Sequence, residues 1–295
     1  MFINKFILQY GFKINKKRLF ENFLSIFFLI TFAIKGYCFK IFVPKKVVQG
    51  QGFLVFFETK KERKAVFEWL DKKVPLMLKK GKNEILLGVG LKRKGIFSLK
   101  IKIWEDGRCR SFVRKIFVQT KRFPKRRLKV AKRFVSPSKS SIKRILREQK
   151  QIIQILDRIS RKKFYKLPFI APLRGKVLSC FGAIRVFNKR VVSVHKGVDF
   201  RAPLNSVVKA SNFGKIAFAG ELYFGGKTVI IDHGLGVFTI YMHLNKILVK
   251  KGEYVRKGEK IAFSGKTGRV TGPHLHFGVS ILGERVDPLS IILEK

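Results

Sequence analysis

Four of the five histidines of this 295-residue chain fall in three short motifs. These are His195-Lys-Gly-Val-Asp199, Tyr241-Met-His243-Leu244 and Gly272-Pro-His274-Leu-His276. Histidine and aspartate supply nitrogen and oxygen donors that zinc accepts, and a catalytic zinc keeps one of four positions open beside three protein ligands. His195 and Asp199, four apart across Gly197, converge if the segment bends out of a regular strand. His274 and His276, two apart, project to one face of a strand, so one can bind metal while the other meets water or substrate. His243 closely follows an apolar run and can reach the same cleft. A His-x-x-x-Asp arises by chance, and a single His-x-His is often structural; their concentration in one region is what points to a metal centre. His233, in Asp232-His-Gly234, has the neighbours of a hairpin turn and is expected to be a bystander.

The elements that must hold these residues are strands. From residue 169 onward, apolar runs at 207–210, 215–219, 228–231, 237–241 and 260–263 are separated by glycines, and no helix-length periodicity interrupts them. This pattern predicts an all-β domain over 169–295. Upstream, runs at 39–43, 53–57, 84–87, 97–103 and 112–118 are punctuated by Gly, Asn and Asp turns. That spacing predicts a β-sandwich of immunoglobulin-like type over 39–120, with no histidine and no catalytic constellation. Residues 121–168 read as a basic linker followed by an amphipathic helix. Ser138 caps the helix, and Ile142, Ile145, Leu146, Ile152, Ile153, Leu156 and Ile159 form its apolar stripe. Residues 1–38 place Lys16-Lys-Arg18 before about twelve apolar residues, the pattern of a secretory signal or membrane anchor. The fold class expected is therefore mainly β, with one linker helix.

Composition narrows the function classes. A hydrophobic content of 46% supports packed cores and argues against wholesale disorder. The formal charge of +47 suits a polyanionic partner, but the basic residues run along the whole chain and no nucleic-acid-binding motif accompanies them. Nucleic acid is not expected as a partner. None of Cys38, Cys109 and Cys180 lies in a Cys-x-x-Cys pair, which excludes a disulfide framework and a cysteine-rich metal site.

The order of motifs between about 172 and 288 resembles the lysostaphin/LytM-type zinc metallopeptidases. The matching residues are Phe181-Gly182 with Arg185, His195-Lys-Gly-Val-Asp199, Ile231-Asp-His-Gly234, Tyr241-Met-His-Leu244, Gly265-Lys-Thr-Gly268, Thr271-Gly-Pro-His-Leu-His-Phe277 and Asp287-Pro288. The resemblance implies one zinc ion held by His195, Asp199 and His276, with His243 and His274 as catalytic residues. Arg185 and Asn188 are expected to contact substrate. It further implies hydrolysis of peptide cross-links in bacterial peptidoglycan, either glycine bridges or direct D-alanyl–diaminopimelate links, the second being the type expected of an exported enzyme with accessory domains. The expected place is the periplasm or cell envelope, with inner-membrane association if 1–38 is retained as an anchor. Relatives that have lost zinc ligands activate wall amidases without catalysis; the five-residue set is complete here. Gly278 follows Phe277 where many relatives carry Glu.

Overall fold

The computed structural model describes residues 39–105, 107–128, 136–187 and 191–292. The expected signal or anchor at 1–38 and the expected substrate contact Asn188 lie outside them. Among the described residues the chain is mainly β with a single α-helix, and no helix is long and apolar enough to cross a membrane.

Eight strands between residues 39 and 119 form two sheets. One pairs Phe39–Phe42, Gly52–Thr59 and Gly81–Gly88. The other runs Lys46–Val48, Arg108–Gln119, Gly95–Glu105, Arg63–Trp69, Lys72–Leu78. Alternation places Val55, Phe57, Phe67, Trp69, Ile85, Leu87, Leu99 and Ile101 in the core, with lysines on the outer face. Burying such a side chain contributes about 1.5–3 kcal/mol. The strands Arg63–Trp69 and Lys72–Leu78 were not among the sequence expectations. Their turn is Leu70-Asp71, both at positive φ (47° and 64°), where Asn-Gly is the usual signal. Pro75 also weakens the second strand as a pattern, but that strand lies at the sheet edge, where a missing N–H is tolerated.

The sandwich abuts the rest of the chain through two glycines that face each other in register, Gly52 and Gly88. A Cβ on Gly52 would stand 2.7 Å from Ile291, and one on Gly88 2.7 Å from Val286. Ser290 Oγ accepts the Gly52 N–H at 2.8 Å, and the apolar core continues across this contact.

The helix, α1 (Lys139–Leu156), starts at its expected cap, where Ser138 Oγ accepts the Ser141 N–H at 3.2 Å. It stops before Ile159. Only Ile145, Ile155 and Leu156 are buried along it, while Ile142, Leu146 and Ile153 remain exposed.

Beside a three-stranded sheet of Lys125–Leu128, Ile184–Phe187 and Val191–Val194, a ten-stranded antiparallel sheet builds most of the remainder. Its main path is Val177–Ser179, Val198–Arg201, His274–Ile281, Val237–Ile247, Gly226–Asp232, Gly214–Leu222, Tyr254–Val255. Leu275, Phe277, Val279 and Ile281 point into the main core with Val237 and Tyr241. The opposite face has two parts. At one end Phe218, Leu222, Ile230, Phe238 and Ile240 form a second small core under Ile155 and Leu156 of α1. At the other end, on the same face, the alternate residues of His274–Ile281 present the histidines. Cys109 is exposed, Cys180 is half-buried, and both are free thiols.

Candidate metal centre

Three strands and one bent segment bring the five residues together. Asp199 pairs across the sheet with His276, and Arg201 with His274, so that register alone puts the His195–Asp199 motif beside the His274–His276 pair. Met242 lies opposite His276, and strict alternation would turn His243 to the other face. Instead the pairing of this strand slips between Lys227 and Val229, and His243 takes a φ of +64°. A bulge residue in the left-handed region re-aims its side chain, and such strain concentrates at functional sites. The rings of His243 and His274 are 4.9 Å apart and those of His243 and His276 6.1 Å.

Nε2 of His195 and Nδ1 of His276 each lie 2.9 Å from Oδ1 of Asp199, and 2.9 Å from each other. All three residues are buried. A carbonyl oxygen only accepts, so each ring nitrogen bonded to one must carry the proton. His195 Nδ1 donates to Cys180 O at 2.9 Å, which leaves its Nε2 lone pair for the centre. His243 Nδ1 donates to Thr267 O at 2.8 Å and His274 Nδ1 to Gly272 O at 2.9 Å, leaving both Nε2 atoms as bases. His274 Nε2 is 3.8 Å from Asp199 Oδ1.

The electrostatics favour a cation. Burial opposes ionisation of Asp199, but the His195 and His276 rings beside it outweigh burial and hold the carboxyl well below the usual range. Burial pushes His276 down to about 4 despite Asp199, and pushes His243 well below its ordinary value with help from the neighbouring histidines. At neutral pH Asp199 is a carboxylate and burial keeps His276 and His243 neutral, so a cation meets nitrogen and oxygen donors of the kind that zinc accepts. The His195–Asp199–His276 cluster, with its donor atoms within 4.8 Å of one another, fits one zinc ion.

Arg185 is tied to this cluster. Its Nη2 donates to Asp199 Oδ2, the oxygen turned away from the histidines, and to Ser179 Oγ at 3.1 Å. Its strand, Ile184–Phe187, is flanked by Val191–Val194 and, in parallel, by Lys125–Leu128 from the linker. His233 is buried elsewhere, donating from Nδ1 to Phe213 O and bonded through Nε2 to Thr239 Oγ1, both at 2.7 Å. It has the structural role expected. Close by Thr267 in the chain, the Arg269 guanidinium stacks on the Phe224 ring at 4.3 Å.

Residues 193–288 match Peptidase family M23. Over 95 residues the chain is 43% identical to peptidoglycan DD-endopeptidase ShyB of Vibrio cholerae, covering 32% of this chain and 22% of that protein. It is 45% identical over 100 residues to DD-carboxypeptidase/endopeptidase Mpg of Neisseria meningitidis, covering 34% and 23% respectively. The chain thus spans less than a quarter of the length of these curated relatives. A crystal structure of a peptidase M23 from Pseudomonas aeruginosa is similar over a longer stretch. It aligns with 83% of this chain and 94% of its own at a TM-score of 0.64 and 28% identity. That alignment extends well beyond the histidine-bearing region.

Proposed function

We propose, from a Peptidase family M23 domain over residues 193–288, that this protein is a zinc-dependent endopeptidase that hydrolyses peptide cross-links of bacterial peptidoglycan. The observation that carries the reading is the joint geometry of five side chains. A buried His-Asp-His donor set stands beside two histidines whose Nδ1–H groups are locked on carbonyls, so that both Nε2 lone pairs are available as bases. The names of the similar DD-endopeptidases support a cross-link between D-centres as the bond cleaved, with D-alanyl–diaminopimelate the specific choice. A basic flank and an apolar run at 1–38 support export to the cell envelope, where that substrate resides.

His195 through Nε2, His276 through Nδ1 and Asp199 through Oδ1 would hold the zinc. The ion supplies Lewis acidity toward the scissile carbonyl and lowers the pKa of a coordinated water. The chain's own residues move the protons. As the water oxygen bonds to the carbonyl carbon, Nε2 of His243 or His274 takes its proton, while the carbonyl of Thr267 or Gly272 holds the ring in place through Nδ1–H. The imidazolium so formed faces the developing oxyanion and then returns the proton to the amine as the C–N bond breaks. Arg185 fixes the carboxylate of Asp199 from behind, which leaves Oδ1 directed at the centre.

The deciding experiment digests purified peptidoglycan with the full chain plus zinc, with the chain plus chelator, and with His276→Ala. Loss of cross-linked muropeptides in the first alone is expected. Identical profiles in all three would overturn the endopeptidase reading and favour a non-catalytic regulator of wall amidases.

A further inference from the structure

The segment that carries His195 and Asp199 is anchored at both ends. Before it, the His195 N–H donates to Ala183 O at 2.9 Å. After it, Val198 pairs with Phe277 and Asp199 with His276 across the sheet. Lys196 and Gly197 lie between the strands Val191–Val194 and Val198–Arg201. There the Lys196 carbonyl accepts a hydrogen bond from Nη2 of Arg285 at 3.2 Å.

Arg285 reaches that carbonyl from the short strand Glu284–Val286, where it lies opposite Ser280 of the His274–Ile281 strand. Residues two apart on a strand share a face, and the guanidinium runs along that face to Gly278. A Cβ on Gly278 would stand 2.7 Å from Nη2 and 3.4 Å from Lys196 O. Gly278 thus leaves open the space in which the guanidinium meets the carbonyl. On the other face of the short strand, Glu284 pairs with Arg93 of the sandwich at 2.7 Å, which holds the strand in place.

This placement costs free energy. Arg285 is half-buried, its Nε is buried without a hydrogen-bond partner among the described residues, and burial pushes its pKa down to about 10. An unpaired buried donor loses its hydration without a return and asks for an explanation. A positive charge bonded to the residue after His195 also opposes a dication there. What can offset both is geometry, a donor that fixes the peptide between two ligands.

We infer that Arg285 is a positioning residue of the metal centre: by holding the Lys196 carbonyl it fixes the peptide joining His195 to the bend at Gly197, and so sets the separation of the His195 and Asp199 donors. This rests on the zinc-centre reading and deepens it. Without that bond the peptide is free to turn and carry His195 away, while Asp199 stays in register with His276.

Zinc affinity of the full chain, from competition against a chelator of known affinity, tests this beside calorimetric melting of the metal-free protein. Loss of an outer-shell partner weakens metal binding about ten- to a hundredfold, and Arg285→Ala should do so by that factor. Removal of a positive charge alone would strengthen binding, so the positional and electrostatic effects differ in sign. Arg285→Lys should retain part of the affinity, because a charged donor remains and the fork is lost. Gly278→Ala displaces the guanidinium without removing it, and only the far end of a flexible side chain has to give. It should weaken zinc in the wild-type background and change it by no more than about threefold in the Arg285→Ala background. A merely structural role would lower the metal-free Tm and leave zinc affinity where it was. Unchanged or tighter zinc binding by folded Arg285→Ala, or equal losses from Gly278→Ala in both backgrounds, would overturn the positioning role and leave the zinc centre standing. Should Arg285→Ala not fold, unchanged zinc binding by Gly278→Ala would overturn it equally. A wild-type chain that binds no zinc would remove both.

Discussion

Replacing Gly197 by alanine probes the metal centre at its tightest backbone contact. A Cβ there would stand 2.4 Å from the carbonyl oxygen of Phe277 and 2.7 Å from Nε2 of His276. Real Cβ contacts do not fall below 3.0 Å, so something must move by at least 0.6 Å. Phe277 cannot retreat, because its strand is hydrogen-bonded on both sides, to Val198–Arg201 and to Val237–Ile247. The strain therefore falls on the His276 ring or on the 195–199 segment, and both carry metal ligands in the proposed scheme. Overpacking of this kind costs about 1–3 kcal/mol. At roughly 2–4 °C per kcal/mol for a domain of 150–250 residues, the metal-free Tm should fall by several degrees. Misplacing a ligand should also weaken zinc by about ten- to a hundredfold, the scale on which loss of an outer-shell partner acts. Competition against a chelator of known affinity gives the zinc Kd, and calorimetric melting with and without zinc gives the two Tm values. A Gly197→Ala protein with zinc affinity within threefold of wild type and an unchanged melt would refute the reasoning. It would mean that the 195–199 segment is free to shift and does not preorganise the site.

Three further outcomes are expected. His274→Ala should lower kcat by about a hundred- to ten-thousandfold while the protein still binds one zinc per chain, measured by metal analysis beside turnover; loss of the metal instead would contradict the proposed division of roles. Arg185→Ala should weaken zinc about ten- to a hundredfold through a less constrained Asp199, so unchanged affinity in the chelator competition would show that the ion pair is dispensable. His233, held near 4 by burial, resists a proton that the unfolded chain accepts below about 6.5, so native stability is full above that pH and declines toward 4 by about 3 kcal/mol from this residue. Denaturant unfolding at pH 7 and pH 4.5 should show a smaller drop for His233→Gln than for the wild type, and equal drops would exclude His233 as the cause.

Much of the site was legible in the sequence because its chemistry resides in local spacing. His274-Leu-His276 needs only a strand to place two rings on one face, and Ser138 announces the start of α1. The exceptions have physical causes. His243 reaches the site through a bulge and a left-handed backbone, which alternation does not foresee. The Leu70-Asp71 hairpin uses φ values that its residue types do not advertise, so two strands of the sandwich went unread. Lys125–Leu128 pairs in parallel with Ile184–Phe187 across nearly sixty residues of chain, a contact with no local signature. The bond from Arg185 to Asp199 joins residues fourteen apart and required the fold. Arg285 gave no signal beyond being basic in a very basic chain.

The ten-stranded sheet also acts as a partition. Its main core, with Phe277 and Tyr241, lies on one side, and the small core under Ile155 and Leu156 lies on the other. Little apolar surface ties α1 down, and three of its large aliphatic side chains face solvent. Regions with few buried contacts open at lower free energy than the global transition. The helix is therefore expected to open ahead of the sheet, releasing the Glu148 bond to the Tyr223 N–H. The His195–Asp199–His276 cluster instead adjoins strands whose Val198, Leu275 and Phe277 belong to the main core. Native-state hydrogen exchange should then see α1 amides exchange ahead of those of the His274–Ile281 strand, a local opening that leaves the main sheet intact.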